Sequence, residues 1–347
     1  MKDTINHEEI TEQIIKLFKE RGKKALELAR KTVLEEKIDS KEVQEALKYF
    51  INEYWHDTHR PALFSLVCEA VGGDPDITTP IAISMILISG GIDIHDDIID
   101  QSENKGGRST VVGKFGKDIA LLVGDALIFK GFTMLYTAVE KGVPVEQIAV
   151  ISDIIKRMFF ELGDAEALEL QFRGRVDVTP EDYLCVVRKK AADVEAYTRI
   201  SAIVGDGSKE EIEALGEYGR LLGMLVILRD DIVDMFDPEE TIHRIKKEHL
   251  SLAILYALQN PEMKSSVTES INKTVTEKDV EKLSAIVDRA GGFVLINNYM
   301  SELAEEAYNK IKIAKHNRKH LALLIRGVLL PEWRNYLTSS GIVGVPE

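Results

Sequence analysis

The stretch from Ile77 to Asp100 reads ITTPIAISMILISGGIDIHDDIID. Thr79 followed by Pro80 is a typical helix start, because threonine caps a helix and proline fits its first turn. The residues from there to Ile92 carry no charge, which predicts a helix buried on all sides. The end of this helix carries the first aspartate cluster, which consists of Asp96, Asp97 and Asp100.

A second apolar stretch, LLGMLVILRDDIVD at 221–234, ends in the same DDxxD pattern. It carries the second aspartate cluster, which consists of Asp230, Asp231 and Asp234. Residues four apart share a helix face, so each cluster presents three carboxylates to one small volume. The helix dipole disfavours a carboxylate at this end by about 0.3–1 kcal/mol. A compensating Mg²⁺ suits such a site, whereas the alternative is a solvated acidic face in an acidic chain.

Apolar residues recur at helical spacing along the whole chain, and no sustained two-residue alternation indicates a sheet. The sequence therefore predicts an all-α fold, a bundle of about 10–13 helices. Capping signals at Thr179 and Ser208 support two of the starts. We place twelve helices near 8–34, 40–54, 60–72, 79–101, 115–141, 145–174, 180–205, 208–236, 240–260, 277–290, 292–314 and 316–338.

Composition excludes several classes of protein. The 347 residues carry a net charge of −14, which disfavours nucleic acid as a partner because nucleic acid is bound through clustered Lys and Arg. The longest uncharged run, from Ile77 to Ile92, is shorter than the roughly 20 residues that cross a bilayer, so we expect no transmembrane segment. Two distant cysteines, Cys68 and Cys185, predict no disulfide framework, and we expect a cytoplasmic protein.

The sequence resembles the trans-isoprenyl diphosphate synthases. The resemblance rests on HDDIID at 95–100, GGRSTVVGKFGKDIALLVGDALI at 106–128, YLCVVRKKA at 183–191 and LRDDIVD at 228–234, with the two DDxxD motifs 134 positions apart. It implies one isoprenoid-synthase domain over 1–347, with a polyprenyl synthetase-like core at approximately 40–315. It also implies a deep central cavity enclosed by the helices.

The resemblance implies a mechanism as well. In this family two aspartate clusters hold Mg²⁺, with two to three ions expected, and the metal binds an allylic isoprenoid diphosphate. All six aspartates of the two clusters would be both catalytic and metal-binding. The carbon–oxygen bond breaks, and the allylic cation is then attacked by isopentenyl diphosphate. A homodimer is the expected assembly.

Four basic residues are implied as substrate-binding by their places in the family pattern: Arg60, Lys105, Lys190 and Lys247. Lys246 is an alternative to Lys247, because the segment after the second cluster is shorter than usual in the family. A solvated surface role is the competing interpretation for each lysine.

The sequence also departs from the family where isopentenyl diphosphate is normally bound. The GKRxRP segment reads HDTHRP at 56–61, so Arg60 alone keeps its charge and Asp57 would repel a diphosphate. The second arginine of the family's RRG pattern is Gly106. The alternative is that neighbours replace the lost cations; the candidates are His56, His59 and Arg108.

Three functions remain open from the sequence. The first is prenyl transfer to isopentenyl diphosphate, and the second is a terpene-synthase-like reaction that ionises an allylic diphosphate without chain elongation. The third is a non-catalytic partner subunit of a prenyl synthase.

Gly91, five residues before Asp96, either opens the floor of the chain pocket or permits close helix packing.

Overall fold

The computed structural model describes residues 7–329. Helices dominate this range, and the one sheet described is a short hairpin of β1 (Asn104–Lys105) and β2 (Arg108–Ser109). The all-α fold predicted from the sequence is therefore confirmed. The α-helices are α1 His7–Leu34, α2 Lys41–Tyr49, α3 His59–Val71, α4 Pro75–Ile99, α5 Val111–Phe115, α6 Lys117–Glu140, α7 Val145–Phe172, α8 Pro180–Lys190, α9 Ala192–Val204, α10 Lys209–Asp234, α11 Pro238–Lys247, α12 Leu252–Leu258, α13 Lys264–Lys273, α14 Glu277–Arg289, α15 Gly292–Lys310 and α16 Arg318–Val328. A π-helical turn, Phe50–Tyr54, follows α2, and a 3₁₀ turn, Ile311–Ile313, follows α15.

Helix boundaries differ from the prediction at several places. Asp74 caps α4 by accepting from the Asp76 N–H at 2.9 Å, so the helix begins one turn earlier than the predicted start at Thr79. The predicted helix at 180–205 divides at Ala191, and the one at 240–260 divides between α11 and α12. Helices α5 and α13 were not predicted. Of the predicted helix at 316–338, the part from 330 onward lies outside the described residues.

Both capping signals are confirmed. The Asp182 N–H bonds the Thr179 hydroxyl at 3.1 Å, and the Thr179 N–H bonds the Asp182 carboxylate at 3.2 Å. The Ser208 N–H donates to Glu211 at 2.8 Å, and the Glu211 N–H donates to the Ser208 hydroxyl at 3.2 Å. Each pair satisfies N–H groups that a helix start leaves without an intrahelical partner.

The chain forms two compact units. Within the described residues, the first comprises 7–155, 196–216 and 311–329, and the second comprises 156–195 and 217–310. Single-domain organisation stays a prediction.

The core of the first unit is the pair α4 and α6, packed through glycine. A Cβ at Gly91 would lie 2.6 Å from the Gly124 carbonyl oxygen, and one at Gly131 would lie 2.7 Å from the Ser84 carbonyl oxygen. The Ser84 hydroxyl donates to the Gly131 carbonyl at 2.7 Å. Gly91 therefore lies at a close contact between the two helices, which favours the second of its two predicted roles, helix packing.

Helices α4 and α6 are long and apolar enough to cross a bilayer by length and composition alone. The most apolar window of α4 is 78% buried within the protein, as in a core helix, whereas that of α6 is 39% buried. The expected absence of a transmembrane segment stays a prediction.

In the second unit, α12 packs against α8, α13, α14 and α15, and α11 packs against α14. The break between α11 and α12 has a physical reason. It leaves the Leu252 N–H, at the start of α12, without a helical partner, and this N–H donates to Asp231 at 2.9 Å.

Candidate active site

The first aspartate cluster lies at the end of α4 in the first unit. Asp97 is buried, whereas Asp96 and Asp100 are partly exposed. The Lys105 ammonium lies 2.8 Å from the Asp97 carboxylate and 3.3 Å from that of Asp96. The structure thus places the predicted Lys105 beside the first cluster.

The β1–β2 hairpin holds Lys105 in this position. Its two turn residues, Gly106 and Gly107, have φ values of 57° and 72°, the left-handed conformation that favours glycine in a two-residue hairpin turn. Gly106 is the residue that stands where the family pattern has arginine, so the turn gives this departure a structural reason.

Burial acts against the charge of Asp97. It raises the pKa of this carboxyl to about 6, although Lys105 opposes the rise. The carboxylates of Asp96 and Asp97 in turn raise the pKa of Lys105 well above its ordinary value, against the effect of burial. The first cluster therefore has one internal cation, Lys105, and one carboxyl group, that of Asp97, with a pKa of about 6.

The second aspartate cluster lies at the end of α10 in the second unit. Asp231 is 1% exposed and accepts from three donors: the Tyr183 hydroxyl at 3.0 Å, the Leu252 N–H at 2.9 Å and the Arg244 guanidinium at 2.6 Å. Arg244 also lies 3.2 Å from Asp234, which is partly exposed. The side chain of Asp230 is 62% exposed.

A polar network continues below the second cluster. His249, which packs on the Tyr183 ring with centroids 4.8 Å apart, lies 3.1 Å from Glu169. Lys190 is in close contact with Glu169 and lies 2.9 Å from Glu166. Burial alone would raise the pKa of Glu169, but His249 and Lys190 lower it to about 2. The predicted Lys190 therefore lies between two carboxylates.

A small recess opens beside the second cluster. Its polar lining includes Asp231, Asp234, Thr241, Arg244, His249 and Ser251. The predicted Lys247 is not among the lining residues and is exposed in the last turn of α11. The structure instead places Arg244 against Asp231 and Asp234, a contact that the sequence did not reveal. The three basic residues in the last turn of α11 were a signal, but which one faces Asp231 depends on the helix phase.

The predicted Arg60 lies between two carboxylates of the first unit. Its guanidinium donates to Asp57 at 2.9 Å and makes a bidentate pair with Asp93 at 2.9 and 3.0 Å. Asp57 is buried, and Asp93 is partly exposed. Sequence reasoning missed Asp93, because nothing in the sequence links it to a residue 33 positions earlier.

The chemistry of the donors fits Mg²⁺ at part of each cluster. Within residues 7–329, no three His, Cys, Asp or Glu side chains converge on one metal position. The buried members, Asp97 and Asp231, are held by Lys105 and by Arg244. The more exposed carboxylates, Asp96, Asp100, Asp230 and Asp234, are the hard oxygen donors that Mg²⁺ combines with water and phosphate oxygens.

Comparison with known proteins identifies the family of the chain. The polyprenyl synthetase family model matches residues 40–288. The chain is 33% identical over 234 residues to a short chain isoprenyl diphosphate synthase of Methanothermobacter thermautotrophicus, a match that covers 66% of this chain and 66% of that protein. It is 34% identical over 192 residues to a geranylgeranyl diphosphate synthase of Methanosarcina mazei, which covers 55% of this chain and 58% of that protein.

Among solved structures, the geranylgeranyl pyrophosphate synthetase of Pyrococcus horikoshii matches with a TM-score of 0.80 and 26% identity. That match covers 93% of this chain and 98% of the other. The chain therefore belongs to the polyprenyl synthetase family, a family of prenyl-transferring enzymes.

Proposed function

We propose that the chain is a Mg²⁺-dependent prenyltransferase that ionises an allylic isoprenoid diphosphate. The observation that carries the proposal is the difference in burial among the three aspartates of each DDxxD motif. One aspartate is buried against an internal cation, while the two others are partly or fully exposed at the end of the same helix, although the same cation also contacts one of these two. This arrangement suits Mg²⁺, which binds to one or two carboxylates and completes its coordination with water and substrate phosphate oxygens.

In the proposed site, Asp96 and Asp100 hold Mg²⁺ at the first cluster, and Asp230 and Asp234 hold it at the second. The metal, when bound, neutralises charge on the departing diphosphate. Asp97 and Asp231 act differently from the sequence-based expectation, in which all six aspartates bind metal. Their proposed role is to anchor Lys105 and Arg244, which compensate the negative charge at the two helix ends.

Lys105, Lys190 and Lys247 are proposed to bind the donor diphosphate. Lys105 contacts Asp96 and Asp97, and Lys190 contacts Glu166 and Glu169, so the proposed role of these two lysines rests on their places in the family pattern. Lys247 is exposed in the last turn of α11, and its proposed role also rests on the family pattern. Arg60 has a different set of partners, and its role is taken up below.

In the ordinary reaction of the family, isopentenyl diphosphate accepts the prenyl group. The two relatives, a short chain isoprenyl and a geranylgeranyl diphosphate synthase, support this acceptor. A second candidate is a terpene-synthase-like reaction without elongation. One observation favours the second candidate: Arg60, the cation retained from the isopentenyl diphosphate segment, is bound by Asp57 and Asp93.

We further propose that the chain forms a homodimer. Helix α6 exposes large apolar side chains seven residues apart, Leu122, Phe129 and Tyr136, which form one stripe along the helix. A second copy of the chain would bury this stripe. Light scattering of the wild type and of Phe129→Glu measures the assembly, and a monomeric wild type would contradict it.

A single isoprenoid-synthase domain and a cytoplasmic location are also proposed. The family match runs through residues of both compact units, which supports one domain. Neither Cys68 nor Cys185 forms a disulfide, which supports a reducing compartment.

The experiment that tests the function is incubation of the purified protein with farnesyl or geranylgeranyl diphosphate and Mg²⁺, with and without isopentenyl diphosphate. Mass spectrometry identifies the products, and chelation by EDTA is the control. We expect Mg²⁺-dependent loss of the allylic diphosphate. No turnover by this chain alone, with activity restored by a second synthase chain, would favour the non-catalytic partner subunit.

A further inference from the structure

The guanidinium of Arg60 is shared by two carboxylates from different parts of the first unit. Asp57 lies three residues earlier in the chain, and Asp93 lies on α4, one turn before the first aspartate cluster. The three side-chain hydrogen bonds measure 2.9, 2.9 and 3.0 Å, the range of charge-assisted bonds. We call these three residues the Arg60 clamp.

Asp57 is fixed independently of Asp93. Its carboxylate accepts from the Arg60 backbone N–H at 3.0 Å and lies 3.1 Å from the His59 ring. Burial alone would raise the pKa of Asp57, but His59 and Arg60 hold it below its ordinary value. The clamp therefore contains two negative charges around one positive charge.

The neighbours that could replace the lost cations have partners of their own. Burial, together with Arg30 and Arg108, lowers the pKa of His56 and favours its neutral form. Arg30 donates to the Trp55 carbonyl at 2.6 Å and lies 3.1 Å from the His56 ring. Arg108 donates to the Glu53 carbonyl at 3.1 Å.

We propose that Asp93 is a specificity-determining residue that, through Arg60, closes the position of a second diphosphate, so that the prenyl acceptor is an uncharged nucleophile. The inference rests on one part of the proposed function, the ionisation of an allylic diphosphate as prenyl donor, and it identifies the class of the prenyl acceptor. A diphosphate at Arg60 would have to displace at least one carboxylate and would then lie beside it. Each charge-assisted bond lost corresponds to about a tenfold or larger loss of affinity.

The reaction that follows is balanced without a second diphosphate. The allylic carbon–oxygen bond breaks, and its electron pair leaves with the diphosphate. Water then adds to the cation and releases a proton to the diphosphate, or a double bond of the same chain attacks the cation and a neighbouring carbon releases the proton. The product is a prenyl alcohol or a hydrocarbon, with inorganic diphosphate as the second product.

The test is calorimetric titration of isopentenyl diphosphate into protein that holds Mg²⁺ and a non-ionisable allylic thiodiphosphate. For the wild type we expect a Kd above about 1 mM, the upper end of ordinary substrate constants. Asp93→Leu and the shape-conserving Asp93→Asn should tighten binding at least tenfold. Arg60→Met, added to either variant, should abolish that gain.

Asp39→Asn is the matched control, because it removes one exposed negative charge from the same unit without contact to Arg60. Its affinity should equal that of the wild type. Micromolar binding to the wild type, or no gain in either Asp93 variant, would overturn the inference. Failure of the thiodiphosphate to bind would instead count against the proposed function, and the Asp93 series would still report on Arg60, because isopentenyl diphosphate can be titrated alone.

A product assay gives the second readout. Wild-type protein with geranylgeranyl or farnesyl diphosphate should release inorganic diphosphate and an alcohol or hydrocarbon, at a rate that isopentenyl diphosphate does not change. Elongated diphosphates from the wild type would overturn the inference.

Discussion

The two aspartate clusters share one motif and differ in how the protein compensates their charge. In the first cluster, Asp97 faces one ammonium, Lys105, and burial raises its pKa to about 6. In the second, Asp231 accepts from a guanidinium, a hydroxyl and a main-chain N–H that come from three separate segments. The same five-residue pattern therefore ends both helices, but the charge of the buried aspartate is only partly compensated at the end of α4 and is well compensated at the end of α10.

The difference shows that a DDxxD motif does not fix the state of its middle aspartate. That state depends on donors elsewhere in the chain. At the first cluster the donor is Lys105, which lies on the β1–β2 hairpin. At the second cluster the donors are Arg244, Tyr183 and Leu252. The stability contributed by the first cluster should therefore depend on pH near 6, whereas that contributed by the second should depend chiefly on its internal donors.

Removal of Arg244 should have the largest effect. Arg244→Met leaves the buried Asp231 and its neighbour Asp234 without their cation, and loss of one partner of a buried ion pair costs about 3–5 kcal/mol of unfolding free energy. Urea unfolding followed by circular dichroism measures this loss. Lys105→Met should cost only about 1 kcal/mol at pH 7, because Asp97 can take up a proton instead.

The exposed Lys246→Met is the matched control, from the same turn as Arg244, and should change stability by less than about 0.5 kcal/mol. Equal losses for Arg244→Met and Lys105→Met would show that the two clusters are compensated alike and would break the comparison.

Adjacent aspartates of the second cluster should separate activity from stability. Asp230→Asn removes an exposed proposed metal ligand, so we expect kcat/KM to fall about 10²–10³-fold with little change in unfolding free energy. Asp231→Asn places an amide among three donors and should cost about 1–3 kcal/mol of stability.

Release of inorganic diphosphate and urea unfolding, measured on both variants, test this separation. A destabilised Asp230→Asn with normal turnover would reverse the roles assigned to the two residues.

The pH dependence of stability should differ between the two clusters. Because the folded-state pKa of Asp97 is raised from 3.8 to about 6, its contribution to stability is fully present below pH 4 and is lost as pH rises through 6. The loss should approach about 3 kcal/mol in metal-free protein. Unfolding of wild type and Asp97→Asn in EDTA between pH 4 and 7 measures it, and the variant should lack this slope.

Glu169, below the second cluster, should behave in the opposite sense. Its folded-state pKa is lowered from 4.5 to about 2, so its contribution is present above pH 4.5 and is lost as pH falls toward 2. Glu169→Gln should flatten the acid limb of the stability profile and leave the limb near pH 6 intact. A common slope in both variants would mean that the two sites are coupled.

Local signals in the sequence predicted much of the fold. The uncharged helices, the two capping boxes and the carboxylates at the ends of α4 and α10 all follow from residues a few positions apart. Lys105 was also expected near the first cluster, and the structure places it there. Its role in substrate binding stays a prediction.

The remaining features depend on long-range contacts that no local pattern encodes. The break before α12 lets the Leu252 N–H reach Asp231, 21 residues earlier in the chain. The choice of Arg244 over Lys247 depends on the phase of a short helix. The pair of Arg60 with Asp93 links two helix segments 33 residues apart.

Glycines in the two cluster-bearing helices extend the comparison to packing. In Gly91→Ala on α4, the new Cβ would lie 2.6 Å from the Gly124 carbonyl oxygen, part of a helix backbone that cannot move alone. We expect a loss of about 1–3 kcal/mol. In Gly223→Ala on α10, the nearest atom is the Ala191 Cβ at 2.9 Å, next to the break between α8 and α9, so the loss should be smaller.

Gly163→Ala on α7 is the control, because no atom of a neighbouring element lies within 4 Å of the methyl group that alanine would add. Alanine should stabilise this helix by about 0.5–1 kcal/mol. Thermal unfolding of the three variants ranks them. If Gly91→Ala kept full stability but shortened the longest allylic diphosphate that the protein accepts, Gly91 would line the chain pocket rather than the α4–α6 contact. A stability loss without a change in chain length would assign it to the packing that holds the first cluster in place.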